Sequence, residues 1–198
     1  MAAPSRYNAD DNTENGILRN KLNISNQKDL DDAETTLYTD AYSYFLDAEK
    51  HHKLAFSTKL LFEIHRYFLF TLYDWAGKAR TIDISKGNTM FCSVRFIGNA
   101  MKELDKIIAK NLPTPTDTKE SLCSKLAAIH CEFNAIHPFR EGNGRTIRLF
   151  LDLLNIHAGH PLIDYSKSTK TSYINACIAG MKQDYKKMER VMDKGIFK

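Results

Sequence analysis

His137-Pro-Phe-Arg-Glu-Gly-Asn-Gly-Arg-Thr-Ile-Arg148 places a base, a carboxylate, a glycine-flanked turn and two arginines one helical turn apart within twelve consecutive residues. An apolar run, Leu149 to Leu154, follows at once, and Ala127 to Ile136 before it has helical character. The stretch therefore reads as a tight loop joining two buried helices. Pro138 lacks an N–H and disfavours the α conformation at its predecessor, so the first helix is expected to end at His137. Gly142 and Gly144 flank Asn143 and permit positive φ angles and close approach of a ligand to the backbone.

The residue types suit one chemistry. Successive N–H groups in such a turn form a concave anion nest, and the helix that starts there adds its positive dipole end. Arg145 and Arg148 share one face of the first turn, and their planar forks match phosphate oxygens. Glu141 offers a hard oxygen, and phosphate-bound Mg²⁺ takes one or two carboxylates. His137 can accept a proton near neutral pH. Together these describe a nucleotide triphosphate site with a metal and a general base. The bland alternative is a helix–loop–helix turn with a capping histidine and solvated arginines.

Length and composition narrow the classes. The 198 residues suit one domain with a sizeable core, read as a flexible N-terminal arm over 1–16 and a single domain over 17–198. No apolar stretch approaches the ~20 residues of a membrane span, and Met1 to Asn8 lacks an apolar signal core, so a cytoplasmic protein without membrane contact is expected. The net charge of +4 is modest and spread out. It suits an anionic nucleotide and gives no argument for direct nucleic-acid binding. Cys92, Cys123, Cys131 and Cys177 show no metal-ligand spacing and read as free thiols.

Along the chain, apolar residues at three-to-four spacing predict a helix from Asp29 to Ala48 and a denser one from Ser57 to Trp75 with Gly77 as its stop. Thr81 to Phe91 is the hairpin candidate, with Lys86-Gly87-Asn88 as the turn. Helices are then expected over Arg95–Leu112, Glu120–Ile136 and Thr146–Ala158. A last helical region, Tyr173–Met192, is expected to break around Gly180 and Asp184. The fold class is all-α, a helical bundle around the motif-bearing pair, with one small β-hairpin. His130, His157 and His160 read as structural or exposed.

The quoted stretch matches at every specified position the Fic-domain signature His-x-Phe-x-(Asp/Glu)-Gly-Asn-Gly-Arg-x-x-Arg. Leu72 to Arg80 also resembles that family, and the likeness runs from about Leu18 to Met188, as in minimal stand-alone bacterial members. The resemblance implies a Fic fold and transfer of AMP from ATP to a Tyr, Thr or Ser hydroxyl of a target protein. It implies His137 as base, Glu141 as Mg²⁺ ligand, and Gly142, Asn143 and Gly144 as the phosphate cradle. Arg145 would hold the leaving pyrophosphate and Arg148 the γ-phosphate; Phe139, within the same nucleotide-binding loop, reads as its apolar anchor. The hairpin becomes a flap, Ile84, Ser85, Lys86, Gly87, Asn88, Thr89, Met90 and Phe91, that aligns the target by strand addition. Gly144 stands where the kinase-like Doc branch has lysine, which favours the AMP-transferring orientation. Tyr173, Asn175 and Tyr185 are candidate neighbours of the adenine.

Many members of the family are restrained by a Ser/Thr-x-x-x-Glu-Gly/Asn helix that blocks the second motif arginine. Thr116–Glu120 lacks the final Gly/Asn, and Asp10–Glu14 has Asp in place of the hydroxyl residue. The chain is then either constitutively active or restrained by a small antitoxin-type protein in trans; the second is the expectation, with the toxin–antitoxin and cell-filamentation associations that the family carries. Transfer of UMP or phosphocholine, and a catalytically idle nucleotide-binding module, stay open as alternatives, as does a homo-oligomer.

Overall fold

The computed structural model describes residues 13–14, 16–87 and 89–197. Most of the arm expected over 1–16 lies outside the described residues. Thr13–Glu14 (β1) pairs antiparallel with Ile17–Leu18 (β2), a two-residue hairpin that the sequence pattern did not predict. Ile17 and Leu18 pack against the core.

The helices are α1 (Gln27–Lys50), α2 (Thr58–Leu69), α3 (Ile97–Lys110), α4 (Lys119–Ile136), α5 (Asn143–His157), α6 (Lys170–Gly180) and α7 (Lys186–Phe197). The expected hairpin is β3 (Ser85–Lys86) with β4 (Thr89–Met90). Local chemistry sets several starts. Asn26 accepts the amides of Lys28 and Asp29 at the head of α1, Thr118 that of Ser121 before α4, and Thr169 that of Ser172 before α6.

The motif-bearing pair lies at the centre. α4 packs against α3, α5, α6 and α7, while α5 packs against α1, α2 and α4. Leu149, Phe150, Leu151, Leu153 and Leu154 are all wholly buried, so α5 is apolar on nearly every side. That burial sets the position of the loop before it. Asp152 is the one carboxylate inside this helix's buried face. It accepts the Ile163 amide at 2.9 Å and the Tyr42 hydroxyl, and burial lifts its pKa to about 6.

Two boundaries differ from expectation. α2 stops at Leu69 rather than Trp75, because Leu72 and Tyr73 both return their amides to the Leu69 carbonyl. The chain then folds back, with Tyr73 stacked on Trp75 at 4.3 Å and Gly77 at φ +71° against Arg66. α5 begins at Asn143, a turn earlier than Thr146, since the Gly142 carbonyl receives both the amide and the hydroxyl of Thr146. Gly144, Arg145 and Arg148 thus all belong to α5. Among the described residues no helix is long and apolar enough to cross a membrane, and all four cysteines are free.

Gly180 ends α6 against α4, where an added Cβ would stand 2.3 Å from Cys131 Sγ and 2.8 Å from its Cβ. Gly180→Ala should therefore destabilise the chain by about 1–3 kcal/mol in urea unfolding. Adding Cys131→Ala, which removes the sulfur but not the Cβ, should recover part of that loss.

Candidate active site

His137 is the C-cap of α4, in the left-handed conformation at φ +50°, ψ +61°. Its amide donates to the Phe133 carbonyl at 2.8 Å, and Pro138 prevents the helix from continuing. The ring is 8% exposed and lies stacked on Phe91 with centroids 3.8 Å apart. Nδ1 stands 3.3 Å from the Asn134 carbonyl. A carbonyl can only accept, so Nδ1 carries the proton and the lone pair sits on Nε2. Burial pushes the pKa down to about 3, assisted by the charges of Lys86 and Arg80 and opposed by the Asn134 contact. The imidazole is neutral at pH 7, the state a proton acceptor needs.

Arg80 joins this histidine to the hairpin. Its Nε donates to the His137 carbonyl at 2.9 Å, Nη1 to Ile82 at 2.7 Å, and Nη2 to the carbonyls of Cys92 and Ile136. Its own amide donates to Pro138. The side chain is wholly buried, with Asp83 at 3.7 Å as a partial counter-charge. Nothing in residue pattern marks Arg80 as a site residue, although it closes the Leu72–Arg80 segment that carries a family likeness.

The loop itself is tied inward. The Asn143 carboxamide accepts the Phe139 amide at 2.9 Å and donates to the Phe139 carbonyl at 2.7 Å. The carboxamide oxygen and one of its two N–H groups therefore hold the loop, and the phosphate contact expected of this side chain would use the second N–H. Phe139 is 0% exposed and stacks on His65 at 3.7 Å and 8°. It is the apolar anchor of the loop in the core. His65, which the sequence reading overlooked, accepts the Gly77 amide through Nδ1 at 2.8 Å and so donates from Nε2 to the Glu141 carbonyl at 3.0 Å. Burial lowers its pKa to about 3. Glu141 Oε1 accepts the Gly142 amide at 2.9 Å, which leaves its carboxylate beside the start of α5.

Gly142 is the N-cap of α5 at φ +83°, and no side chain caps this helix. A Cβ there would press on Leu69, Phe68 and His65 at 3.0–3.4 Å, so glycine is required by space as well as by φ. The first-turn N–H groups lack intrahelical acceptors by geometry, which leaves a cradle of donors at a positive dipole end. Gly144 is exposed, and a Cβ on it would stand 3.5 Å from Arg148 Nη1.

The two arginines differ. Arg145 Nη2 lies 2.6 Å from Glu34 Oε2 of α1, its guanidinium sits over Phe68, and its carbonyl accepts the Tyr38 hydroxyl at 2.7 Å. Arg148 lies over Tyr165 and is surrounded by the phenols of Tyr38, Tyr165 and Tyr173, with a hydrogen bond to Tyr173. Among the described residues it pairs with no carboxylate. Tyr173 also contacts His130 Nε2 at 2.7 Å, and Tyr185 donates to Glu132, while Asn175 is exposed. Of the three adenine candidates, Tyr173 alone is tied to a motif arginine.

The hairpin divides by exposure. Ile84 is 2% exposed and Phe91 packs on His137, so these two anchor it. Ser85, Lys86, Gly87, Thr89 and Met90 form the outer part, and Asn88 lies outside the described residues.

Residues 55–155 match the model of the Fic/DOC family. The chain is 34% identical over 172 residues to a probable protein adenylyltransferase, y4lH, of Sinorhizobium fredii, covering 85% of each. It is 32% identical over 151 residues to the probable protein adenylyltransferase Fic of Escherichia coli, covering 74% of this chain and 71% of that one. Among solved structures it is similar to the N-terminal FIC domain of the Bep8 protein from Bartonella sp. 1-1C. That likeness has a TM-score of 0.75 at 25% identity, covering 90% and 89% of the two chains.

Two expectations follow from the geometry. His65, His130 and His137 are each held near pKa 3 by burial, so at pH 5 each takes up a proton on unfolding, while Asp152, near 6, gives one back. Stability should therefore rise with pH around pH 5, by on the order of a few kcal/mol per unit, measured as the pH dependence of the unfolding free energy. Arg80→Met should orphan several buried carbonyls and cost at least about 2 kcal/mol, read by denaturant unfolding, with Arg80→Lys recovering little.

Proposed function

The chain belongs to the Fic/DOC family, and from that premise we propose that it is a protein adenylyltransferase acting on a Tyr, Thr or Ser hydroxyl of another protein. The observation that carries this reading is a neutral His137 in the same short loop as an uncapped helix start bearing Arg145 and Arg148. The named activity of the two relatives supports it.

In the proposed reaction Nε2 of His137 accepts the proton of the target hydroxyl. The hydroxyl oxygen bonds to the α-phosphorus of ATP, and the bond from that phosphorus to the β-phosphate oxygen breaks. Pyrophosphate leaves toward Arg145 and Arg148. The α5 amides hold the phosphate chain, and they need no reorganisation as charge shifts along it. Gly142 and Gly144 let that chain approach the backbone, and a Cβ on Gly144 would lie in ordinary contact with Arg148 Nη1, on the side where the phosphates are expected. A negatively charged nucleotide beside His137 also raises its basicity over the value set by burial.

Glu141 fits the Mg²⁺ expected with the nucleotide. A single hard carboxylate next to a phosphate cradle is the donor set such an ion takes, and when bound it neutralises phosphate charge. The outer flap, Ser85 to Met90, offers a short open strand edge for an extended segment of the target. Met90, 69% exposed, is its apolar contact.

We further infer restraint in trans. Among the described residues Arg148 makes no ion pair with a carboxylate; phenols surround it, and Asp152 acts on it only at longer range. Glu120 is in the first turn of α4, about 25 Å along that helix from His137. Glu14 sits exposed in β1, and Asp10 lies outside the described residues. A separate small protein that supplies a glutamate to Arg148 fits this arrangement.

The test is transfer of label from α-labelled and γ-labelled ATP to protein in a lysate. The α label should be incorporated and the γ label should not, and His137→Ala should lower incorporation by about 10²–10⁴-fold. EDTA should abolish it. Label arriving from γ alone, or only from UTP or CDP-choline, would overturn AMP transfer.

A further inference from the structure

At the ends of α1 and α5 farthest from the His137 loop, about 20 Å away along α5, three metal-ligating side chains converge. Glu49 in the last turn of α1 is 2% exposed. Its Oε1 contacts His157 Nδ1 at 2.7 Å, and its Oε2 is buried with no hydrogen-bond partner among the described residues. His157 is the last residue of α5. His52 follows α1 in the left-handed conformation at φ +51° and brings its ring centroid to 6.3 Å from that of His157. One ligand atom from each of the three lies within 4.8 Å of the others.

We propose that Glu49, His52 and His157 form a binding site for a divalent first-row transition ion, distinct from the Mg²⁺ expected with the nucleotide. Two imidazoles and one carboxylate make a borderline donor set that suits Zn²⁺ and discriminates against the all-oxygen preference of Mg²⁺. The orphaned oxygen of Glu49 is a buried acceptor that the fold leaves without a donor, and a cation satisfies it. Two helix C-termini meet here, and their negative dipole ends favour positive charge. The carboxylate is fixed by burial, whereas both imidazoles are exposed enough to rotate and close the remaining spacing around an ion. Three protein ligands leave the fourth position to water. Such an ion would clip α1 to α5, the two helices that hold Arg145 between them through Glu34 and Tyr38.

The experiment titrates ZnCl₂ into the full chain, untagged and cleared of metal by EDTA and dialysis, at pH 7.5 in a calorimeter, with thermal unfolding alongside and MgCl₂ as the hard-ion control. One site per chain is expected, with Tm raised by about 5 °C or more at saturation and no effect of Mg²⁺ of either kind. His52→Asn and His157→Ala should each weaken binding by at least about tenfold. If His157→Ala fails to fold because Glu49 loses its contact, His52→Asn decides, since that side chain is exposed and asparagine accepts the left-handed backbone. Absence of saturable uptake, uptake unchanged in His52→Asn, or equal response to Mg²⁺ overturns the site and leaves Glu49 and His157 as an ion pair.

Discussion

The exchange of two hydrogen bonds between the Asn143 side chain and the Phe139 backbone is the contact on which the site depends. A carboxamide both accepts and donates across one planar group. Aspartate cannot donate to the Phe139 carbonyl, and glutamine is a methylene longer. With this bond pair closed, Phe139 is pinned against His65, which in turn reaches the Glu141 carbonyl and the Gly77 amide. A buried loop has to account for each of its backbone polar groups, each costing about 1–3 kcal/mol if orphaned. Here the accounting runs through two side chains from different elements, Asn143 of α5 and His65 of α2.

Charge is distributed around that loop with a purpose that packing alone does not require. Glu34 neutralises Arg145 at 2.6 Å, and Tyr73 donates to the same carboxylate at 2.5 Å. Arg148 instead has neutral phenols in direct contact, with Asp152 acting on it only at longer range. Burial raises the pKa of Tyr38 to about 12 and that of Tyr173 further, so neither becomes an anion in the working range of pH. A cation held by hydroxyls keeps its attraction for an incoming phosphate. Together with the uncapped start of α5, this concentrates positive potential on one side of the loop.

The bundle was legible because apolar periodicity and Pro138 report burial and helix ends directly, and α4 begins within a residue of its expected start. The end of α2 was not legible. Residues 70–75 continue an apolar pattern, and what turns them back is the tertiary tie of Tyr73 to Glu34 and of Leu72 to the Lys21 amide. At the site, residue type gave the chemistry but not the direction in which each polar atom is spent. Asn143 and Phe139 carry the motif's identity yet work inward. His65 and Arg80 lie 72 and 57 positions before His137, and no local pattern distinguishes them from an ordinary helix histidine and a surface arginine. Only their hydrogen bonds reveal the role. The Glu49, His52 and His157 cluster was hidden for the same reason: His157 reads on its own as structural or exposed, and its partners lie 108 and 105 positions earlier in the chain.

The stacking of Phe91 on His137 links the base to the hairpin, and Arg80 makes that link stiff. Its guanidinium spans the carbonyls of Ile82 and Cys92 on either side of β3 and β4, and those of Ile136 and His137 at the end of α4. A target segment that paired with the outer edge of the hairpin, as proposed, would be registered against a frame that includes the imidazole. For attack at phosphorus, an error of an ångström in the hydroxyl's position costs orders of magnitude in rate. A two-residue strand cannot supply that accuracy by its own ladder, which is too short to be stable in isolation. Under the proposed mechanism it would acquire accuracy by being bonded through Arg80 to the same residue that receives the proton.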